Sequence, residues 1–174
     1  LDLQGGSYLL LEVDSQPIIK QKLQDKLISL RKILKEKNIS YVKLNLISDK
    51  INLEVKNDDI NKFEEFFLDK ENLFNTYYTK YKSYELSHKI EKNLIIIEYT
   101  KFGIIEIKNS SLDHSLEIVR RRIDEAGTKD PTIIRRGNDR ILIELPGLDD
   151  PNRIKNLLGK TANLSFKIVS EEDN

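Results

Sequence analysis

Thr132-Ile133-Ile134-Arg135-Arg136-Gly137-Asn138-Asp139-Arg140-Ile141-Leu142-Ile143-Glu144-Leu145-Pro146-Gly147 is the stretch on which the fold turns. Two runs rich in isoleucine flank Gly137-Asn138-Asp139, a cluster with strong turn chemistry, so the segment reads as a β-hairpin. In the second arm Ile141, Ile143 and Leu145 alternate with Arg140, Leu142 and Glu144, and Pro146-Gly147 ends the strand. Asp150 then offers a helix cap, with Pro151 at the first position, where its missing N–H costs nothing. Ile154, Leu157 and Leu158 form that helix's expected inner face, Gly159 stops it, and Leu164–Val169 reads as a closing strand.

Upstream, Phe102, Ile105, Leu112, Leu116, Val119 and Ile123 fall near helical spacing. They predict a long helix from about Phe102 to Ala126-Gly127, where glycine suits a C-terminal stop. Asn109-Ser110-Ser111 is a candidate interruption. Nearer the start, Tyr8–Val13 reads as a buried strand. Ser15 is a candidate cap for a helix carrying Ile19, Leu23, Leu27, Leu30 and Leu34 on one stripe, with Asn38 as its stop. Tyr41–Ile47 and Ile51–Val55 bracket Ser48-Asp49-Lys50 as a second hairpin. Asp58 is a candidate cap for a helix facing the core with Ile60, Phe63, Phe67 and Leu68; Asn93–Tyr99 reads as a strand.

This order predicts an α+β fold of two consecutive βαββαβ units of ferredoxin-like type, 1–100 and 101–174, packed together. The alternative division joins 1–14 to 101–174 and treats 15–100 as an insertion.

Lysine plus arginine and aspartate plus glutamate both number 29, so no net field favours nucleic acid or an anionic surface. There is no cysteine, which removes disulfides and thiolate chemistry. Apolar runs such as Leu94–Ile97 are far too short to cross a bilayer. Methionine is absent, position 1 included, so a piece of a longer protein is expected. His88 and His114 lack metal-ligand spacing, and no nucleophile elbow or phosphate loop is present. Arg120, Arg121, Arg122, Arg135, Arg136 and Arg140 form a candidate basic patch, but their strands lack the aromatic rings on which RNA-binding sheets stack bases. Tyr77, Tyr78, Tyr81 and Tyr84 read first as sheet and edge residues; the functional alternative is a strip that holds extended polypeptide.

Leu1-Asp2-Leu3-Gln4-Gly5-Gly6 runs straight into the first strand, and paired glycines reach backbone angles closed to other residues. This opening, together with Arg121–Gly127, Asp130–Leu148 closing on Glu144-Leu145-Pro146-Gly147, and Leu158–Phe166, resembles the SecD family. Asp2, Leu3, Gln4, Gly5, Gly6, Glu144, Leu145, Pro146 and Gly147 carry the resemblance as structural motif residues, whereas the middle of the chain, roughly 15–100, matches poorly.

The resemblance implies the first, membrane-near part of a periplasmic region of a bacterial inner-membrane protein of the resistance-nodulation-division class. It further implies work with SecF beside the SecYEG channel, drawing unfolded preproteins across the membrane with the proton gradient. No catalytic residue, cofactor, metal or nucleic acid is expected, and the membrane is reached only through segments outside this sequence. A stand-alone polypeptide-binding module is the rival expectation.

Overall fold

A computed structural model describes residues 6–127, 130–146, 151–159 and 166–168. In chain order the elements are β1 (Gly6–Val13), α1 (Gln16–Glu36), β2 (Tyr41–Ile47), β3 (Lys50–Val55), a short 3-10 turn (Asn57–Asp59) and α2 (Ile60–Phe67). There follow β4 (Tyr77–Tyr78), β5 (Ser83–Tyr84), β6 (Leu86–Glu91), β7 (Leu94–Tyr99), α3 (Lys101–Glu125), β8 (Thr132–Arg136), β9 (Arg140–Pro146), α4 (Pro151–Leu158) and β10 (Phe166–Ile168). The fold class is α+β, and every strand pairing among the described residues is antiparallel.

The chain divides into two compact units, one drawn from Leu1–Ser15 with Ile107–Asn174 and the other from Gln16–Glu106. The division falls inside α3. In the first unit the sheet order is β10-β1-β9-β8. Leu9, Leu11 and Val13 of β1 and Ile141, Ile143 and Leu145 of β9 bury with Leu112, Leu116, Val119 and Ile123 of α3 and with Leu158 of α4. The elements therefore run βαββαβ, with the two strands of the central pair taken from opposite ends of the sequence.

In the second unit the sheet order is β2-β3-β7-β6, with β4-β5 a separate small hairpin. Leu23, Leu30 and Leu34 of α1 and Phe63, Phe66 and Phe67 of α2 pack on Ile51, Leu53, Val55, Ile95 and Ile97. Two consecutive βαββαβ units were expected, and here the structure differs. Residues 16–106 run helix, hairpin, helix, then two further hairpins. The strand that would open the first repeat, β1, is spent on β9 and β10 instead.

Local chemistry accounts for the element ends. Asn38 takes φ 54°, the left-handed turn that stops α1, and Asn38 N–H donates to the Lys35 carbonyl. Ser48 and Asp49 both have positive φ, so β2 and β3 join through the two-residue turn whose twist matches a hairpin. Gly127 and Gly137 likewise sit at positive φ, ending α3 and turning β8 into β9. Asn109-Ser110-Ser111 does not interrupt α3, because the buried Ser111 hydroxyl donates to the Ile107 carbonyl and Ser115 to Ser111.

Three local readings are corrected. Tyr8 is 70% exposed, so β1 is buried on one face only. Asp58 does not cap α2: the cap position is Asp59, whose carboxylate accepts from Ser40 N–H and Lys62 Nζ. On α2 Phe66 turns inward and Leu68, at the C-cap, is exposed. Asp150, Leu164 and the polar end 170–174 lie outside the described residues, as do the side chains of Ile154 and Leu157.

Candidate functional site

β1 and β9 bring the two distant motif blocks side by side. Gly6 stands opposite Pro146, Ser7 opposite Leu145 and Tyr8 opposite Glu144. Pro146 has no N–H to give a ladder, and β9 has already outrun β8 there, since Thr132, the first residue of β8, pairs with Glu144. Leu145 is buried in the core beneath this junction. Glu144 faces away from the helices, flanked by Tyr8 and Thr132 in one cross-strand row. Asp2, Leu3, Gln4, Gly5 and Gly147 lie outside the described residues.

The next row on the same helix-free face is Leu10, Leu142 and Ile134. Of the arginines, Arg135 donates to Asp113 Oδ1 (2.9 Å) and Asn109 Oδ1 (3.1 Å) on α3. Arg122 lies 3.7 Å from Glu125, and Arg140 lies 4.0 Å from Asp139. Arg120, Arg121 and Arg136 are exposed.

The four tyrosines cluster in the other unit, and each is half-buried. The β4–β5 pairing sets Tyr77 opposite Tyr84, ring centroids 4.9 Å apart and edge-on. Tyr81 stacks on Phe102 at 4.5 Å, and its hydroxyl donates to Glu106 Oε1 at 2.9 Å. Lys80 also reaches Glu106, at 2.8 Å. The Tyr84 hydroxyl donates to the Leu68 carbonyl. The Tyr81 and Tyr84 hydroxyls and the four rings thus have partners within the chain.

Beside this cluster lies a cleft of about 510 Å³, bounded by Lys22, Asp25, Lys26, Leu73 and Tyr99 among others. Lys26 Nζ makes a 2.7 Å ion pair with Glu85, donates to the Phe74 carbonyl and sits 5.2 Å over the Phe74 ring. Tyr99 Oη is buried and has no partner among the described residues. Burial first, and then the nearby Glu85, Tyr78 and Asp25, hold the Tyr99 phenol above its ordinary range.

Tyr78 is likewise pushed up to about 12, first by burial and then by Glu85, Glu106 and Tyr81. The unfolded chain releases this proton near 10.0, whereas the folded chain keeps it. Stability is therefore lost as pH rises from the unfolded value toward the folded one. We expect Tyr78→Phe to remove one late-ionising phenol from an alkaline absorbance titration and to soften the fall in stability above pH 10.0. A variant whose titration and alkaline unfolding match the parent contradicts this.

Lys26, Glu85, Asn75 and Thr100 went unread in the sequence. Lys26 and Glu85 are 59 positions apart, and no periodicity links them. His88 is an inward ring: its Nε2 lies 3.1 Å from Glu64 Oε1, and it packs edge-on against Phe67 at 5.0 Å. Among the described residues no cluster of His, Cys, Asp and Glu is placed to hold a metal ion, and no helix is long and apolar enough to cross a membrane.

Comparison with known proteins supports the resemblance to the SecD family. A family model described as "Protein translocase subunit SecDF, P1 domain, N-terminal" matches residues 112–171. "Protein translocase subunit SecD" of Rickettsia typhi is 36% identical over 174 residues, all of this chain and 32% of the relative. The protein of the same name from Rickettsia prowazekii is 35% identical over the same span, again 32% of its length. That of Acetobacter pasteurianus is 34% identical over 169 residues, 97% of this chain and 32% of the relative. The chain thus spans about a third of the length of the curated relatives it matches. With its last third matched by the family model and its whole length by these relatives, the chain belongs to the SecD family of protein translocase subunits.

Proposed function

We propose that the chain is a periplasm-facing base of a SecD-type subunit of the Sec translocase, and that its role is mechanical rather than enzymatic. The observation that carries this reading is the register that sets Gly6 against Pro146. Gly6 and Glu144-Leu145-Pro146, from the two stretches that carry the resemblance, are neighbours in one sheet. A junction of two backbone segments, one end lacking a Cβ and the other lacking an N–H, is suited to holding chain direction rather than to acid–base work.

On this reading the βαββαβ unit is ferredoxin-like, and residues 16–106 are an insertion into it. The subunit works with SecF and the SecYEG channel, handles unfolded preproteins, and assists export coupled to the proton gradient across the bacterial inner membrane. It needs no cofactor. Tyr77, Tyr78, Tyr81 and Tyr84 brace the insertion, consistent with their internal partners.

The test is export in cells whose only subunit of this type is the full-length parent protein. Gly5→Val and Gly6→Val should slow preprotein processing more than Tyr78→Ala does. Export at the parental rate by both valine variants removes the base reading.

A further inference from the structure

Helix α1 carries an uneven charge that the chain as a whole does not. From Gln16 to Lys37 there are seven lysine and arginine residues against two acids, Asp25 and Glu36, in a sequence of zero net charge. The inner stripe is Ile19, Leu23, Leu30 and Leu34. On one solvent-facing flank, Lys20, Gln24, Ile28, Arg31, Lys32 and Lys35 fall within one continuous sector at helical spacing, and all are exposed. Asp25 and Glu36, also exposed, border that sector on the Lys32 side. Among the described residues no carboxylate lies within ion-pair distance of Lys20, Arg31, Lys32 or Lys35, whereas Lys26, on the cleft side, is paired with Glu85. Ile28, in the middle of the cations, is 55% exposed.

We propose that this face of α1 docks on an anionic phospholipid surface, with Lys20, Arg31, Lys32 and Lys35 against the headgroups and Ile28 as a shallow apolar wedge. The charge calls for an anionic partner. The shape selects among anions: the sector is one side of a single helix, about 22 Å long from Lys20 to Lys35, and the clefts beside α1 are lined by Lys22, Lys26 and Lys37 rather than by these residues. A headgroup layer is continuous and needs no register. Lysines near such a surface each contribute about 1 kcal/mol, and the attraction fades within a Debye length, so binding is weak, reversible and salt-sensitive. A single isoleucine adds a little buried apolar area without anchoring the helix. This inference does not depend on the translocase reading, so either can fail without the other.

The experiment is co-sedimentation of the chain Leu1–Asn174 with vesicles of pure phosphatidylglycerol and of pure phosphatidylcholine, at low and high salt. We expect partition onto phosphatidylglycerol only, lost at high salt. Lys32→Gln with Lys35→Gln should lower the partition at least about tenfold, and Ile28→Asp should lower it further. Lys43→Gln with Lys92→Gln, the same change of net charge on other exposed residues, should leave it within about twofold. Circular dichroism checks that each variant folds. Absence of partition onto phosphatidylglycerol, or equal loss by both neutralised pairs, overturns the proposal. Binding of soluble polyglutamate without vesicle binding overturns it in favour of an acidic polypeptide.

Discussion

Gly103→Ala is expected to destabilise the unit 16–106 by about 2–3 kcal/mol, although alanine is the better helix former. A Cβ at this position would stand 2.3 Å from the Glu85 carbonyl oxygen, 3.2 Å from its carbon and 3.2 Å from Tyr99 Cδ1. The carbonyl has little freedom to retreat. It already accepts from Thr100 N–H at 2.9 Å and from the Thr100 hydroxyl at 3.2 Å. The same hydroxyl accepts from Gly103 N–H at 3.0 Å, capping the first turn of α3. The added methyl must therefore push the start of α3 off the backbone it caps. Helix propensity would return at most about 1 kcal/mol, less than the clash costs. A thermal melt should fall by roughly 4–12 °C. A variant as stable as the parent would show that α3 does not approach Glu85 this closely.

Asn75→Leu should cost more, about 3–5 kcal/mol. Asn75 is completely buried. Its Nδ2 donates to the Phe67 carbonyl at 3.1 Å and to the Leu86 carbonyl at 3.3 Å, and its Oδ1 accepts from Leu86 N–H at 2.8 Å. One side chain thus ties the end of α2 to the start of β6. Leucine has nearly the same bulk, so the loss isolates the polar term: three backbone groups remain buried with one partner fewer. Urea unfolding gives the magnitude, and hydrogen exchange at the Leu86 amide gives the mechanism. The amide should exchange faster than its neighbours in β7. A loss under about 1 kcal/mol would mean that water or relaxation replaces the asparagine.

Much of the secondary structure was legible because short-range chemistry dictates it. The stripe from Ile19 to Leu34, the turns at Ser48-Asp49 and Gly137, and the stop at Gly127 each depend on residues within a turn or two of one another. What escaped is long-range. The apolar run Tyr8–Val13 announces a strand, but neither that only one of its faces is buried nor which sheet receives it, and the first βαββαβ repeat failed on that point. β6 escaped because His88 takes an inward position that reads as polar in sequence, where its ring packs on Phe63 and Phe67. Phe66 and Leu68 exchanged roles because α2 ends one residue earlier than the apolar run does. In the candidate site, Gly6, Glu144, Leu145 and Pro146 were individually visible; their adjacency follows only from the β1–β9 register.

That register also governs the order in which the molecule can assemble. β1 meets its partner only after more than a hundred intervening residues exist, and β10 still later. Residues 16–106 close on themselves long before, through hairpins and helices near in sequence. A chain emerging from its N-terminus therefore holds an orphan strand with three core side chains, waiting for the other end to arrive. Prior collapse of the middle shortens the effective loop that this late pairing must close, and so lowers its entropic barrier.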